Sequence, residues 1–426
     1  MSVYRYLITS YFQYLFTQNK LAIWVWKDLL YKFSYKYSDT TKSSFWIILT
    51  YFGQAVRKIF NKNPKQVILS NKIILDHTNR GIEQRAQYLK ESIGEEINCS
   101  FAISSDTAET NFIEKMLLLG TTSFLYFGII IVCIFSKRRA QLGLIPLETL
   151  ELYFLSKYIK NTRAKEVYFF SPYEKDTCFI THYLKNKRGL KIILFPSPNP
   201  ISNFYERVIC STFAFSVAYQ KAEYHKLKNQ WEVEECITVP PAGFHEIIKT
   251  KGKETPKNTI GFLSSGNWLR KLKNRSDAGK GYLEAENNLI VFLKAFLDVH
   301  NNIQLVIYLH PIEKANNEVL TQSKQYFVQH FGEQIFFADP SKPSKLQPEL
   351  VDVALSPYSS AMFERLYAGY KVMFFQKGMK ENYFNDNRLM AITANNQKDF
   401  NQRLQSILEM SELDFIKSYQ LGEFVG

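Results

Sequence analysis

Two short polar groups, each closing an apolar run, carry the most specific chemistry in this chain. In QLVIYLHP the run ends at His310-Pro311. In VDVALSPYSSAMFERLYAGY a second run ends at Ser356 to Ser360 and opens directly into a helical pattern. An imidazole N–H and two hydroxyls are hydrogen-bond donors, and a helix start adds unpaired backbone N–H groups and a partial positive charge. Donors gathered in this way hold an anion, and open α/β sheets place phosphates beyond the carboxyl ends of their strands. Ser359 and Ser360 fall at the expected helix start, where a serine also serves simply as a cap. Glu364 lies one turn further on.

Further donors follow the apolar run TIGFL: Ser264, Ser265 and Gly266 open the loop SSGNWLRK, and Arg270 or Lys271 offers a charge to pair with phosphate. The competing reading of that loop is a turn with Trp268 packed against the fold. In the first half, the run KQVILSNKIIL leads into Asp76, His77, Asn79 and Arg80, ahead of Gly81. A base that accepts a proton from a substrate hydroxyl needs this kind of position, so Asp76 and His77 are the candidates, with Glu174 behind them. Helix capping by Asp76 or Asn79 accounts for the same residues. The remaining histidines, His182, His225, His245, His300 and His330, fall in or beside helical patterns or in a linker and read as structural.

Several chemistries lose support by absence. No GxGxxG follows the first strand and there is no GxxxxGK[ST], GxSxG or HExxH, which argues against dinucleotide, P-loop, serine-hydrolase and zincin readings. The five cysteines are scattered without metal or disulfide spacing, which fits a reducing compartment. No cofactor and no metal are expected.

The elements that must position these residues alternate strand and helix, with strands that are nearly continuous apolar runs, as parallel strands covered on both faces require. The expected fold is α/β, two doubly wound Rossmann-like domains with a helical extension. Residues 1–65 form the extension, 66–240 the first domain, 241–258 a Lys- and Pro-rich linker, 259–395 the second domain and 396–426 a helical tail. Such a pair of domains is expected to leave a cleft for a donor and a separate acceptor.

The formal charge of +13 points toward an anionic partner, and no nucleic-acid motif is present, so an anionic membrane surface or a nucleotide is expected rather than nucleic acid. Trp24, Trp26 and Trp46 beside Lys27, Lys32 and Lys42 suit a bilayer interface, and packing against the body of the protein explains them equally. Residues 116–135, MLLLGTTSFLYFGIIIVCIF, are long enough to span a bilayer and are followed by Lys137, Arg138 and Arg139. A single crossing would put strands of one sheet on opposite sides, so a helix buried or dipping into one leaflet is expected. Peripheral or monotopic attachment to the cytoplasmic face of the inner membrane follows.

The His-Pro and Ser-Ser motifs, with the element order around them, resemble bacterial polysaccharide glycosyltransferases of the GT-B fold, in particular the sialyltransferases and capsule Kdo transferases, and the CDP-glycerol glycerophosphotransferases. The motif resemblance covers residues 259–376. It implies that His310, with Pro311, and Ser359 and Ser360 contact the donor phosphate, that Glu364 lies where ribose is held, and that no metal is needed, in keeping with the lack of a DxD motif. The implied partners are a nucleotide-sugar donor, with CMP slightly favoured, and a surface-glycan or lipid-linked acceptor. The acidic-acidic-Gly motif of some such sialyltransferases is missing from the first half, which counts against sialic acid. The alternatives are a glycerol- or ribitol-phosphate transferase and a non-catalytic, membrane-associated binding protein.

Overall fold

The computed structural model describes residues 44–60, 69–76, 89–90, 100–103, 110–135, 140–170, 181, 184–185, 188–196, 199–201, 208–228, 230, 232–240, 244, 247–248, 251, 256–272, 281–379, 384 and 386–426. His77, Glu174, the aromatic-basic stretch 1–43 and the run 136–139 lie outside them, as do the side chains of Asp76 and Arg270. The chain forms two compact units. Unit 1 takes Met1–Pro196, Ser202–Ala214 and Leu227–Ile237; unit 2 takes Ser197–Ile201, Phe215–Lys226 and Thr238–Gly426.

In unit 1, strands β1 (Lys72–Asp76), β2 (Ser100–Ile103), β3 (Glu166–Phe169), β4 (Lys191–Leu194), β5 (Cys210–Phe215) and β6 (Val233–Thr238) stand in the order β2-β1-β3-β4-β5-β6. β1 runs parallel to both β2 and β3, and β3 to β4 and β4 to β5 likewise. Chain order reverses between β1 and β3, so the switch point of this sheet lies at the end of β1, where Asp76 is the last residue. Helices α1 (Ser44–Ile59), α2 (Phe112–Phe135) and α3 (Leu144–Thr162) pack beside one another. Glu114 of α2 accepts from Tyr153 and Lys157 of α3.

Unit 2 opens with α4 (Ala218–His225), whose Tyr219 stacks on Phe424 with 3.9 Å between ring centroids. The apolar run FAFSVAYQ reads as one strand in sequence. It breaks at Ser216, whose N–H donates to Gln220 Oε1 at 2.9 Å, while Gln220 Nε2 reaches the Asn199 carbonyl at 2.7 Å. A side chain one turn ahead satisfies the backbone there, and a helix begins.

The second sheet contains β7 (Thr259–Leu263), β8 (Gln304–Tyr308), β9 (Ile335–Phe337), β10 (Val353–Ser356), β11 (Lys371–Phe375) and β12 (Thr393–Ala394), in the order β12-β11-β10-β7-β8-β9. All its pairs are parallel. Read from β9 this is order 3-2-1-4-5-6, the arrangement of a doubly wound α/β fold, with its switch point between β7 and β10. Every residue of β7, β10 and β11 is buried, which explains their uninterrupted apolar sequences. Around the sheet lie α5 (Asn267–Leu272), α6 (Tyr282–Leu297), α7 (Asn317–Phe331), α8 (Ser360–Tyr367), α9 (Asn387–Ala391), α10 (Gln397–Glu409) and α11 (Glu412–Ser418). Phe400, Leu404 and Ile407 of α10 are fully buried in the same core as Phe262 and Phe374.

Candidate functional site

The candidate residues of the second half come together because three adjacent strands end in register. Leu263 pairs with Tyr308, and Phe262 with Leu355, so Tyr308, Leu263 and Ser356 form one row across β8, β7 and β10. Ser356 Oγ locks that row by donating to the Leu263 carbonyl at 3.1 Å. Two residues beyond the row stand His310, Ser265 and Tyr358. Neighbouring strands are about 4.8 Å apart, so the ends of β8 and β10 are separated by about 10 Å, with the β7 loop between them. His310, Ser264 to Gly266 and Ser359-Ser360 therefore share the switch-point edge of one sheet.

His310 is held in one orientation. Its N–H donates to Glu313 Oε2 at 2.7 Å, and its Nδ1 accepts from the Ile312 N–H at 3.2 Å, a reciprocal cap over the short helix Pro311–Lys314, with Pro311 at its first position. A ring nitrogen that accepts carries no proton, so the neutral imidazole has its N–H at Nε2. Gly266 makes room for this: its φ is +65°, and a Cβ there would sit 3.2 Å from His310 Cβ and Nδ1 and 2.6 Å from Ile312 Cγ2.

The β7 loop spends its donors internally. Ser264 N–H bonds the Tyr308 carbonyl at 3.0 Å, Ser264 Oγ donates to Glu313 Oε1 at 2.8 Å, and Gly266 N–H donates to Ser264 Oγ at 3.1 Å. Ser265 donates to Glu286 Oε2 through both its N–H, at 2.7 Å, and its hydroxyl. SSGNWLRK reads in sequence as one loop, but from Asn267 it is α5, so Arg270 stands on a helix. Trp268 of that helix donates to Glu313 and stacks on Tyr326 at 4.3 Å.

The β10 end is different. Ser359 is the N-cap of α8 in an extended conformation, yet its side chain makes no capping bond. Elsewhere in unit 2, Asn316, Asn396 and Ser411 each cap their helix with a side-chain oxygen. Among the described residues neither the Ser359 nor the Ser360 hydroxyl has a partner, and Ser360 is exposed. The N–H groups of Ser360 and Ala361 at the start of α8 have no intrahelical acceptor either, whereas that of Met362 donates to the Ser359 carbonyl at 3.1 Å. This is the part of the row with donors to give.

Glu364 sits on the buried side of α8 and pairs with Lys345 Nζ at 3.1 Å. Burial pushes its carboxyl above the usual range, against the pull of Lys345. Arg365 beside it donates to the carbonyls of Pro348, Val351, Asp352 and Lys371 and serves the frame. Asp76 ends β1 in unit 1.

Two carboxylates that belong to no sequence motif, Glu286 and Glu313, are fully buried beside this row. Each left a trace. Glu313 is the third residue after His310 behind a proline, the spacing of a reciprocal cap. Glu286 lies on the apolar stripe of α6 with Leu289, Ile290 and Leu293, where a charge is out of place. Among the described residues no group of three or more His, Cys, Asp or Glu is arranged to hold a metal.

No family model matches the chain, and no curated protein matches it. Solved structures with a similar trace include the Staphylococcus aureus MnaA–UDP structure, at 10% identity and a TM-score of 0.48, covering 84% of this chain and 93% of that one. The UDP-GlcNAc 2-epimerase of Neisseria meningitidis bound to UDP-GlcNAc is similar at 9% identity and 0.46, over 85% and 95%. The E. coli trehalose-6-phosphate synthase bound with UDP-2-fluoro glucose gives 10% identity and 0.42, over 83% and 94%.

Proposed function

We propose that the chain is a glycosyltransferase that moves a sugar from a nucleotide-activated donor to a glycan or lipid-linked acceptor, with the donor's phosphate at the switch-point edge of unit 2. The observation that carries this reading is Ser359. It occupies an N-cap without capping, beside a helix start and on the same edge as a histidine whose tautomer is fixed. When the bond from the sugar C1 to the phosphate oxygen breaks, negative charge collects on the leaving nucleotide. Donors already in place stabilise that charge, namely His310 Nε2–H, the Ser359 and Ser360 hydroxyls and the first N–H groups of α8. The acceptor oxygen bonds to C1 and its proton goes to a base, for which Asp76 and His77 remain the candidates. Asp76 ends β1 at the switch point of the unit 1 sheet, the position where that sheet would receive a ligand. The resemblance carried by the His-Pro and Ser-Ser pattern slightly favours a CMP-linked donor over UDP or GDP.

A thermal-shift panel of CMP-, CDP-, UDP- and GDP-linked compounds tests the reading, because a ligand held only by the folded state raises its melting temperature. One nucleotide class is expected to stabilise the wild type and to lose that effect in Ser360→Ala and His310→Ala. Turnover by those variants is expected to fall about a hundredfold or more. A panel in which no nucleotide shifts the wild type defeats the proposal. A product containing phosphodiester linkages would move the reaction to phospho-polyol transfer.

A further inference from the structure

Helix α2 has two unlike faces. Leu118, Thr122 and Tyr126, spaced by four, are buried, and Tyr126 meets Phe52 of α1 edge-on at 5.3 Å between centroids. On the opposite side Phe112, Ile113, Leu117, Phe124, Phe127 and Ile131 are exposed, Phe124 by 77% and Phe127 by 64%. From Met116 to Phe135 the sequence contains no charged residue. A row of this kind spanning a helix of about 36 Å is far more apolar surface than a protein leaves in water without a use.

Length and composition would let α2 cross a bilayer. The topology of unit 1 excludes a single crossing. Ile73 of β1 pairs with Ser100 of β2 before α2 in the chain and with Val167 of β3 after it, so both ends of the helix return to one sheet. The next helix, α3, is no second span, since it carries Glu148, Glu151, Lys157 and Lys160. Protein covers one side of α2, and only the other is free for lipid.

Charge and aromatic content identify the occupant. Lys137, Arg138 and Arg139 follow α2 in the sequence. Ile48 and Tyr51 of α1 press on Gly143, which brings the start of α1, with its exposed Phe45 and Trp46, toward the turn that begins α3. Aromatic rings and basic residues at one end of an apolar face match the boundary of an anionic bilayer. A protein interface of this size carries about one hydrogen bond per 100–200 Å², and the side chains on this face offer none.

We infer that α2 lies in the plane of one leaflet of an anionic membrane. Its Ile113, Leu117, Phe124, Phe127 and Ile131 face enters the acyl-chain boundary, and the basic sequence that follows the helix supplies charge that anionic headgroups attract. This inference is independent of the donor site in unit 2.

Flotation of the full chain tests it, using vesicles of phosphatidylcholine alone and of phosphatidylcholine mixed with phosphatidylglycerol. Wild type is expected to float with the mixed vesicles, less so at high salt, and poorly with the neutral ones. The double variant Phe124→Asp/Phe127→Asp changes only exposed positions, so it is expected to keep its melting temperature while its vesicle partition falls by about a hundredfold or more. The gentler Phe127→Trp variant is expected to gain a blue-shifted emission component when mixed vesicles are added. Wild type that stays at the bottom of the gradient, a double variant that floats as well as wild type, or an emission spectrum of the Phe127→Trp variant unmoved by vesicles each overturns the inference. So does a double variant that halves the molecular mass in solution without losing flotation, since the face would then join two copies of the chain.

Discussion

Gly266→Ala is the substitution that most directly tests how His310 is placed. Two costs add at this position. The φ of +65° lies in the left-handed region, which costs an L-residue about 1–2 kcal/mol. The new Cβ also meets Ile312 Cγ2 at 2.6 Å and the His310 ring at 3.2 Å, closer than packed atoms tolerate, and overpacking of this kind costs about 1–3 kcal/mol. Alanine stiffens the unfolded chain and returns about 0.4–1 kcal/mol. The net expectation is a loss of about 3 kcal/mol in the unfolding of unit 2, measured by urea titration with the two units fitted separately. Ile312→Ala removes the atom that clashes, so the double variant should be more stable than the sum of the singles by about 1 kcal/mol or more. Nucleotide stabilisation should disappear in Gly266→Ala, because the imidazole must move. A Gly266→Ala chain within about 0.5 kcal/mol of wild type, or strict additivity with Ile312→Ala, would show that the loop does not buttress the histidine.

The serines of the row should separate into two kinds: Ser264→Ala, which strips a donor from buried Glu313 and an acceptor from Gly266, is expected to lower stability by about 1–3 kcal/mol. Ser360→Ala is expected to leave the melting temperature of the unliganded chain unchanged and to weaken only the nucleotide shift. For Glu364, burial raises the folded-state carboxyl above its unfolded value, so the residue costs nothing while both states are protonated. The native state loses ground as pH climbs from the unfolded value through the folded one. Glu364→Gln should therefore gain on wild type as pH rises through and above the carboxylate range, and melting temperatures compared across that range check it; a difference flat with pH refutes the cause assigned. Lys371 Nζ lies 2.7 Å from Asp352 Oδ1 and donates to the carbonyls of Ile407 and Met410, all in the core. Lys371→Met leaves Asp352 charged and buried and should cost about 3–5 kcal/mol, with much of that recovered in Lys371→Met/Asp352→Asn by the same urea measurement.

The parts of the fold legible in sequence are those where one local rule decides. TIGFL, QLVIY, VALS and KVMFF are continuous apolar runs because each strand is covered on both faces, and that composition announces a parallel sheet without any tertiary knowledge. Ser359 at a helix start was legible for the same reason. Its missing cap bond was not, since the side-chain rotamer depends on the surroundings. The break at Ser216 escaped because Gln220, a residue with no turn signature, supplies the bond that ends the strand. α5 escaped because a helix of six residues is held by Trp268 on Tyr326 and Glu313 rather than by its own periodicity. Glu286 and Glu313 left only the traces described above, because it is the strand order bringing β7 beside β8 that sets the β7-loop serines against them.

Those two carboxylates bear on where along the row the proposed donor phosphate would sit. Both are fully buried and bonded to the β7 loop; burial of Tyr326, with a smaller contribution from these two carboxylates, pushes its hydroxyl up to about 12. A phosphate placed over Ser264 and Ser265 would have to compete for donors already bonded to carboxylates at 2.7–2.8 Å. At the β10 end the nearest described carboxyl on α8 is Glu364, which burial biases toward its neutral form and which Lys345 pairs when it ionises. In the proposed reading the donor phosphate would therefore sit at the Ser359-Ser360 helix start rather than over the glycine-bearing loop. In that reading the loop would hold His310, with its Nε2–H turned toward the phosphate from the β8 side.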